Sequence, residues 1–392
     1  MEVISKMPEL LEQVLQEAEG FVSVSDIRKG PGYAKKLAEA IALIHNTAGH
    51  PAHRHAFLIQ EAMTTSDFPY LFGDVLDRRV MKTYTAVPPV WKAIGKKQVV
   101  NRIAPQVGNY AFAMSGGNER LERVGEKGEY LPSSRGENRY PMYVYKYGKQ
   151  FDISWESLIN DDLNALGDTP ERFAEASLNM EHFRFVSTFA DDDGTHGDNG
   201  AGELYDKATD GEINGSVNLL TLANLALGYQ AMASFLDEVG NPIMNKPTTL
   251  YVPPALELTA REILTSTQKF YTQSGDTDIA ATAYPVTSVI PQLGLNLVVD
   301  PWLPVVDATN GDTAWYLFAD PNRIAAVQYG YLRGHERPEI VMKASDKVSI
   351  GGAPISPFSG DFATDNVFYR VRQCFGTSKM DWRATYAGGL VN

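Results

Sequence analysis

Between Gly128 and Asp193 a charged, glycine-punctuated segment, a tyrosine-rich strand and a long helical period follow one another. The helical part leaves the chain the least freedom. Phe173, Ala176, Met180, Phe183, Val186 and Ala190 recur at three- and four-residue spacing, which places them on one helix face. Thr169 suits an N-cap, Pro170 the first helical position, and Glu171 the positive helix end. The pattern predicts a helix over 170–190, about 30 Å long at about 1.5 Å per residue. Asp191, Asp192 and Asp193 sit badly at the negative end of a helix, so it stops before them.

Ahead of the helix, Tyr140-Pro141-Met142-Tyr143-Val144-Tyr145-Lys146-Tyr147 reads as one alternating strand. Residues 106–150 read as a two-stranded excursion whose turns fall at Gly108, Gly116, Gly117, Gly125, Gly128 and Gly136. Its acidic and basic residues nearly balance. A lone hairpin is marginal in water, so this one is expected to complete its packing on another chain. Tyr130, Arg135, Tyr140, Tyr143, Tyr145 and Tyr147 are the expected inter-subunit contacts.

Residues 216–330 read as an α/β unit. Helices are expected over 219–237 and 255–266, and strands over 248–252, 293–299, 313–318 and 324–329. A further strand is expected over 368–375, with Trp382 packed and Asp381 paired to Arg383.

The order of charged arm, strand, turn and long helix resembles the major capsid proteins of tailed phages, the Hong Kong 97-like fold. The likeness rests on GEYLPSSRGENRYPMYVYKYGKQFDISWESLINDDL, with LINDDL just ahead of the helix. It rests also on LYVPPALELTAREIL, LNLVVDPWLP, AWYLFADPNRIAAVQYGYLRG and the ending GDFATDNVFYRVRQCFGTSKMDWRATY. It extends from about Thr65 to the C-terminus. The resemblance implies an α+β fold with an N-terminal arm, an extended E-loop hairpin, a P domain with a long spine helix, and an A domain. On that pattern the arm and first helices take 1–105, the E-loop 106–150, the P domain 151–212 with its spine over 170–190, and the A domain 213–330. Residues 331–392 return to the P domain.

The same resemblance implies a structural protein, not an enzyme, with no cofactor and no catalytic or metal site. Copies would form pentamers and hexamers of an icosahedral head shell enclosing double-stranded DNA without sequence-specific binding. Portal and scaffold or decoration proteins would be further partners, with no membrane involved. The protein would be assembled in the host cytoplasm and reside in the virion. Some members join an E-loop Lys to a neighbour's Asn, and Lys146 and Lys149 are the candidates by region. Two rival readings stay open: an encapsulin-type nanocompartment shell, and a cytoplasmic α/β enzyme with a dispersed site.

Composition narrows the partners. The 392 residues carry a formal net charge of −13, which opposes coating nucleic acid by phosphate neutralisation. The charge is expected simply to keep the protein soluble, or, as an acidic lining, to repel packaged DNA and let it slide. Against that background Arg78, Arg79, Lys82, Lys92, Lys96, Lys97 and Arg102 form a basic stretch without an acidic residue. It is expected to face acid, on a neighbouring subunit or on DNA, or else to be a solvated face. No run of about 18 apolar residues occurs. The acidic start lacks a signal peptide's order, and the single Cys374 cannot form an internal disulfide.

Residues 1–64 carry two apolar helical faces, Leu10, Leu11, Val14, Leu15 and Ala18, then Leu37, Ile41 and Ile44, separated by a Gly-Pro-Gly breaker. His45, His50, His53 and His55 cluster but match no standard metal spacing. Asp191, Asp193 and Asp198 miss the twelve-residue calcium loop. No phosphate loop, zinc helix or nucleophile elbow occurs.

Overall fold

The strands of the protein alternate or bury their side chains according to how many of their faces are covered. β12 (Val367–Lys379) buries every residue from Gln373 to Ser378, but over its first half Val367, Tyr369, Val371 and Gln373 are buried while Arg370 is exposed. This period of two marks a strand with one face on a core. It belongs to a five-stranded sheet of order β1 (Gly95–Val100), β10 (Val327–Leu332), β12, β11 (Glu339–Met342), with β4 (Tyr145–Ile153) also paired to β12. By contrast all five residues of β9 (Trp315–Ala319) are buried, as expected of a strand covered on both faces. β9 lies in a four-stranded sheet of order β13 (Thr385–Gly388), β9, β5 (Pro247–Val252), β8 (Asn296–Val299). Two ribbons complete the sheets: β2 (Asn109–Gly116) with β3 (Arg135–Met142), and β6 (Gln268–Tyr271) with β7 (Tyr284–Thr287).

This computed structural model describes residues 84, 89–103, 109–116, 123–124, 126, 130, 135–154, 165–190, 204–205, 214–237, 240–271, 284–351 and 360–390. The apolar faces of residues 1–64, the histidine cluster, Arg78, Arg79, Lys82, and Asp191, Asp193 and Asp198 lie outside them.

The chain divides into two compact units. One comprises Met1–Val87, Tyr147–Leu178 and Arg337–Gln373, and the other Pro88–Lys146, Asn179–Glu336 and Cys374–Asn392. Within the first, β11 runs antiparallel to β12 over Tyr369–Arg372. Glu339 and Arg372 face each other in that register and form an ion pair. Phe151 meets the edge of Phe173 with ring centroids 6.3 Å apart.

Within the second unit the core is aromatic. Trp91 stacks on Phe185 at 4.7 Å and meets the edges of Tyr329 and Phe375 at 4.8 and 5.9 Å. Phe189 meets Tyr251, Tyr316 and Phe318 edge-on at 5.6, 5.2 and 5.3 Å. Edge-to-face pairs of this kind add roughly 0.5–1.5 kcal/mol each beyond burial. Two helices flank the four-stranded sheet: α2 (Leu222–Ser234) on β13 and β5, and α3 (Glu257–Thr265) near β8. Thr221 caps α2, its hydroxyl accepting the Asn224 N–H at 3.2 Å.

The long helix α1 (Ala165–Ala190) starts five residues before the position that Thr169 and Pro170 suggested. Proline fixes φ at a value helices tolerate. Pro170 therefore sits in the second turn, at the cost of the one bond it cannot donate. The buried track of α1 follows the apolar period at Phe173, Val186 and Ala190 and departs from it between them. Phe173, Ala174, Ser177, Glu181 and Phe185 are buried, while Ala176, Met180 and Phe183 are half-buried. The polar members of that track are satisfied. Ser177 donates to the Phe173 carbonyl at 2.9 Å, and Glu181 accepts from the Tyr331 hydroxyl at 3.2 Å.

The segment Tyr140–Tyr147 is two strands, not one. β3 ends at Met142 and pairs with β2, whereas β4 begins at Tyr145 and pairs with β12. At the link, Gly376 lies so close to the Tyr143 carbonyl that a side chain there would collide. Met142 and Val144 enter a buried cluster with Val100 and Cys374. The remaining elements start or stop within a few residues of the expected positions. β10 begins at Val327 because Asp320 holds a turn, its carboxylate accepting the Asn322 N–H at 2.9 Å. β8 begins at Asn296 because Ile290–Leu293 forms a tight 3-10 turn.

Candidate assembly surfaces

The basic stretch is organised by Trp91. Pro89 holds extended backbone, and Val90–Ala93 turns tightly so that Trp91 and Ile94 enter the core. The Lys92 ammonium lies 5.4 Å from the Trp91 ring centre. β1 then runs parallel to β10, and Lys96 and Lys97, both exposed, project from opposite faces of the strand. Lys97 finds its acid within its own chain, 3.4 Å from the Glu336 carboxylate and 5.5 Å from the Tyr331 ring centre. An exposed pair like this contributes about 0–1 kcal/mol. Arg102 is exposed beyond the strand.

The candidate tyrosines are not gathered in one place. Arg135 and Tyr140 lie on β3, opposite Gly116 and Ala111. Tyr143 lies in the link and Tyr145 and Tyr147 on β4. Tyr140, Tyr143, Tyr145 and Tyr147 are half-buried, whereas Tyr130 is 83% exposed. Lys146 and Lys149 are exposed on β4.

A buried polar knot lies inside the second unit. Asp300 is fully buried, and its Oδ2 stands 2.6 Å from His182 Nε2 on α1. The Tyr251 hydroxyl donates to the same oxygen, and Oδ1 accepts the Trp302 N–H at 2.8 Å. Burial, then the Glu181 carboxylate, push the Tyr329 phenol above its ordinary range. Burial likewise pushes up Tyr205 and Tyr369. Every oxygen of the Asp300 carboxylate is occupied by a donor, so the arrangement fixes the register of α1 against the Asp300 turn. No local motif announces it, because the His182 and Tyr251 side chains lie 118 and 49 residues from Asp300 in sequence. Among the described residues no group of three or more His, Cys, Asp or Glu side chains is placed to hold a metal ion.

Sequence reasoning also missed the exposed apolar positions. Val217, Leu219 and Leu227 stand open around α2. Val348, Ile350 and Phe362 stand open between β11 and β12. There Asp361 accepts hydrogen bonds from the Thr364 hydroxyl at 2.7 Å and from the Thr364 N–H at 3.0 Å. These, with the Asn366 N–H and nearby Lys343, hold its carboxyl below the ordinary range.

A family model described as phage capsid protein matches residues 139–388, from the end of β3 through β13. The chain belongs to the phage capsid protein family. It functions as a major capsid protein, a structural subunit of the phage virion shell. The capsid protein is similar to a solved chain of Gordonia phage Cozz, with 13% identity over 77% of this chain and 86% of that one, and a TM-score of 0.47. Mycobacterium phage Patience gives 11% identity over 83% and 89%, with a TM-score of 0.43. The Cyanophage Pam1 capsid asymmetric unit gives 11% over 75% and 87%, with a TM-score of 0.42. No curated protein matches the sequence. No helix among the described residues of the capsid protein is long and apolar enough to cross a membrane.

Proposed function

We propose that copies of this capsid protein form pentamers and hexamers of a Hong Kong 97-like icosahedral head shell around double-stranded phage DNA. The family match across 139–388 carries this reading, because it takes in the long helix and strands of both large sheets. The protein then acts by assembly and not as an enzyme. Its net charge of −13 favours a wall with no general affinity for phosphate, past which packaged DNA can slide. Shell building occurs in the host cytoplasm, with portal and scaffold or decoration proteins as further partners. In this layout the arm takes 1–105, the E-loop 106–150, the P domain 151–212 and 331–392, and the A domain 213–330. The E-loop tyrosines, led by the open Tyr130, meet a neighbouring subunit. The basic stretch from Arg78 to Arg102, apart from Lys97, which pairs with Glu336 of its own chain, faces a neighbour's acid. Electron microscopy of the expressed full chain tests the reading. Closed shells, or rings of five and six subunits, are expected. A small oligomer of fixed size without rings or shells would contradict it.

A further inference from the structure

No residue from Ile213 to Leu236 is charged, although charged residues make up 21% of the chain. α2 occupies the middle of that run. Its inner arc, Leu225, Gly228 and Met232, is buried. Ala223, Ala226, Leu227, Gln230 and Ser234 are exposed, and at about 100° per residue they share the opposite arc. Leu227 is 54% exposed, and Val217 and Leu219 on the approach to the helix are 56% and 55% exposed. A surface helix ordinarily carries charged or polar residues outward, and a helix apolar all round belongs in an interior. α2 has the composition of an interior helix and an open outer face.

We infer that the outer face of α2 docks on a second copy of this chain. This deepens the shell reading above and rests on it. Charge selects the occupant. Each copy carries −13, so copies repel one another over most of their surface. Contact costs least where no charge must be desolvated or brought against its like. Nucleic acid gains nothing at such a face, since no basic group is there to displace counterions. A membrane is a poor fit as well. The 13 residues of α2 span about 20 Å, short of the ~30 Å hydrocarbon core, and charged segments follow within the same unit. Leu227 is the anchor, because it is the one large apolar side chain on the exposed arc of the helix.

Sedimentation velocity on the full chain over a concentration series tests this. Leu227→Asp is expected to raise the concentration at half-assembly at least tenfold. Leu258→Asp places the same charge on the exposed part of α3 and should leave that concentration unchanged. Gln230→Glu removes no apolar contact and should shift it in the same direction as Leu227→Asp, by less. The melting temperature of the unassembled subunit should hold in all three, since each position is open. Should Leu227→Asp melt early, Gln230→Glu decides. Assembly of Leu227→Asp, or of Gln230→Glu in that event, at the wild-type concentration overturns the α2 contact alone. A wild-type chain that stays monomeric at every concentration overturns the shell reading, and the α2 contact with it.

Discussion

α2 and α3 flank the same four-stranded sheet and bury one face each, yet their outer faces are built differently. The inner faces are alike: Leu225, Gly228 and Met232 in α2, Ala260 and Ile263 in α3. Outside, α3 carries Glu257, Arg261 and Glu262, with Glu257 and Arg261 paired at 2.8 Å one turn apart. Its open Leu258 stands among charges, as scattered surface leucines often do. α2 shows Ala223, Ala226, Leu227, Gln230 and Ser234 and no charge. The inner faces record how the subunit folds. The outer faces record what surrounds it, water for α3 and protein for α2.

Mutations on the inner faces should erase the difference. Met232→Ala and Ile263→Ala should each destabilise the subunit by about 2–5 kcal/mol, read from chemical denaturation. A large cost at one helix and none at the other would show that the two do not share one core. Gly228→Ala should cost about 1–3 kcal/mol. Its new methyl group would stand 2.9 Å from the Tyr386 ring and 3.1 Å from Trp315, lifting α2 but not α3 off the sheet.

Alkali should act on both helices together. Tyr205 is buried beneath the sheet, 3.0 Å from the Thr385 hydroxyl of β13. Burial raises its phenol above the ordinary value of 10.0. A raised folded value means stability is complete below about pH 10 and falls as pH rises beyond it. The slope for this one group is about 1.4 kcal/mol per pH unit. Melting curves between pH 9 and 11 should show one common transition moving down, and a flat profile would contradict the burial of Tyr205. The smallest effect belongs to the outer face of α3. Arg261→Ala should change stability by roughly 0.3–0.5 kcal/mol and leave assembly untouched.

How much of this was legible in the sequence depended on whether local chemistry or distant partners decided each element. The α2 and α3 helices and the β5 and β9 strands were readable because caps, prolines and periodicity agree with burial there. α1 was readable as a helix but only partly in its facing. Phe173, Val186 and Ala190 are buried as their spacing suggests, while Ala176, Met180 and Phe183 are half-buried and Ser177 and Glu181 are buried in their stead. Those polar residues are tolerated because the Phe173 carbonyl and the Tyr331 hydroxyl satisfy them, and Tyr331 lies 150 residues away. The division of Tyr140–Tyr147 depended likewise on Gly376, a residue that no local pattern connects to it. The candidate contact surfaces divide in the same way. The basic stretch and the tyrosines were visible as composition, but the acid partner of Lys97 is Glu336 of the same chain. The open face of α2 was invisible until burial showed which of its apolar residues the subunit leaves uncovered.

Hydroxyl-radical footprinting with mass spectrometry, on unassembled and assembled protein, compares the two outer faces side by side. Leu227 on α2 should label readily in the free subunit and be protected in the shell. Leu258 on α3, 76% exposed, should label equally in both states. Equal labelling of Leu227 before and after assembly would contradict the burial of α2 between copies.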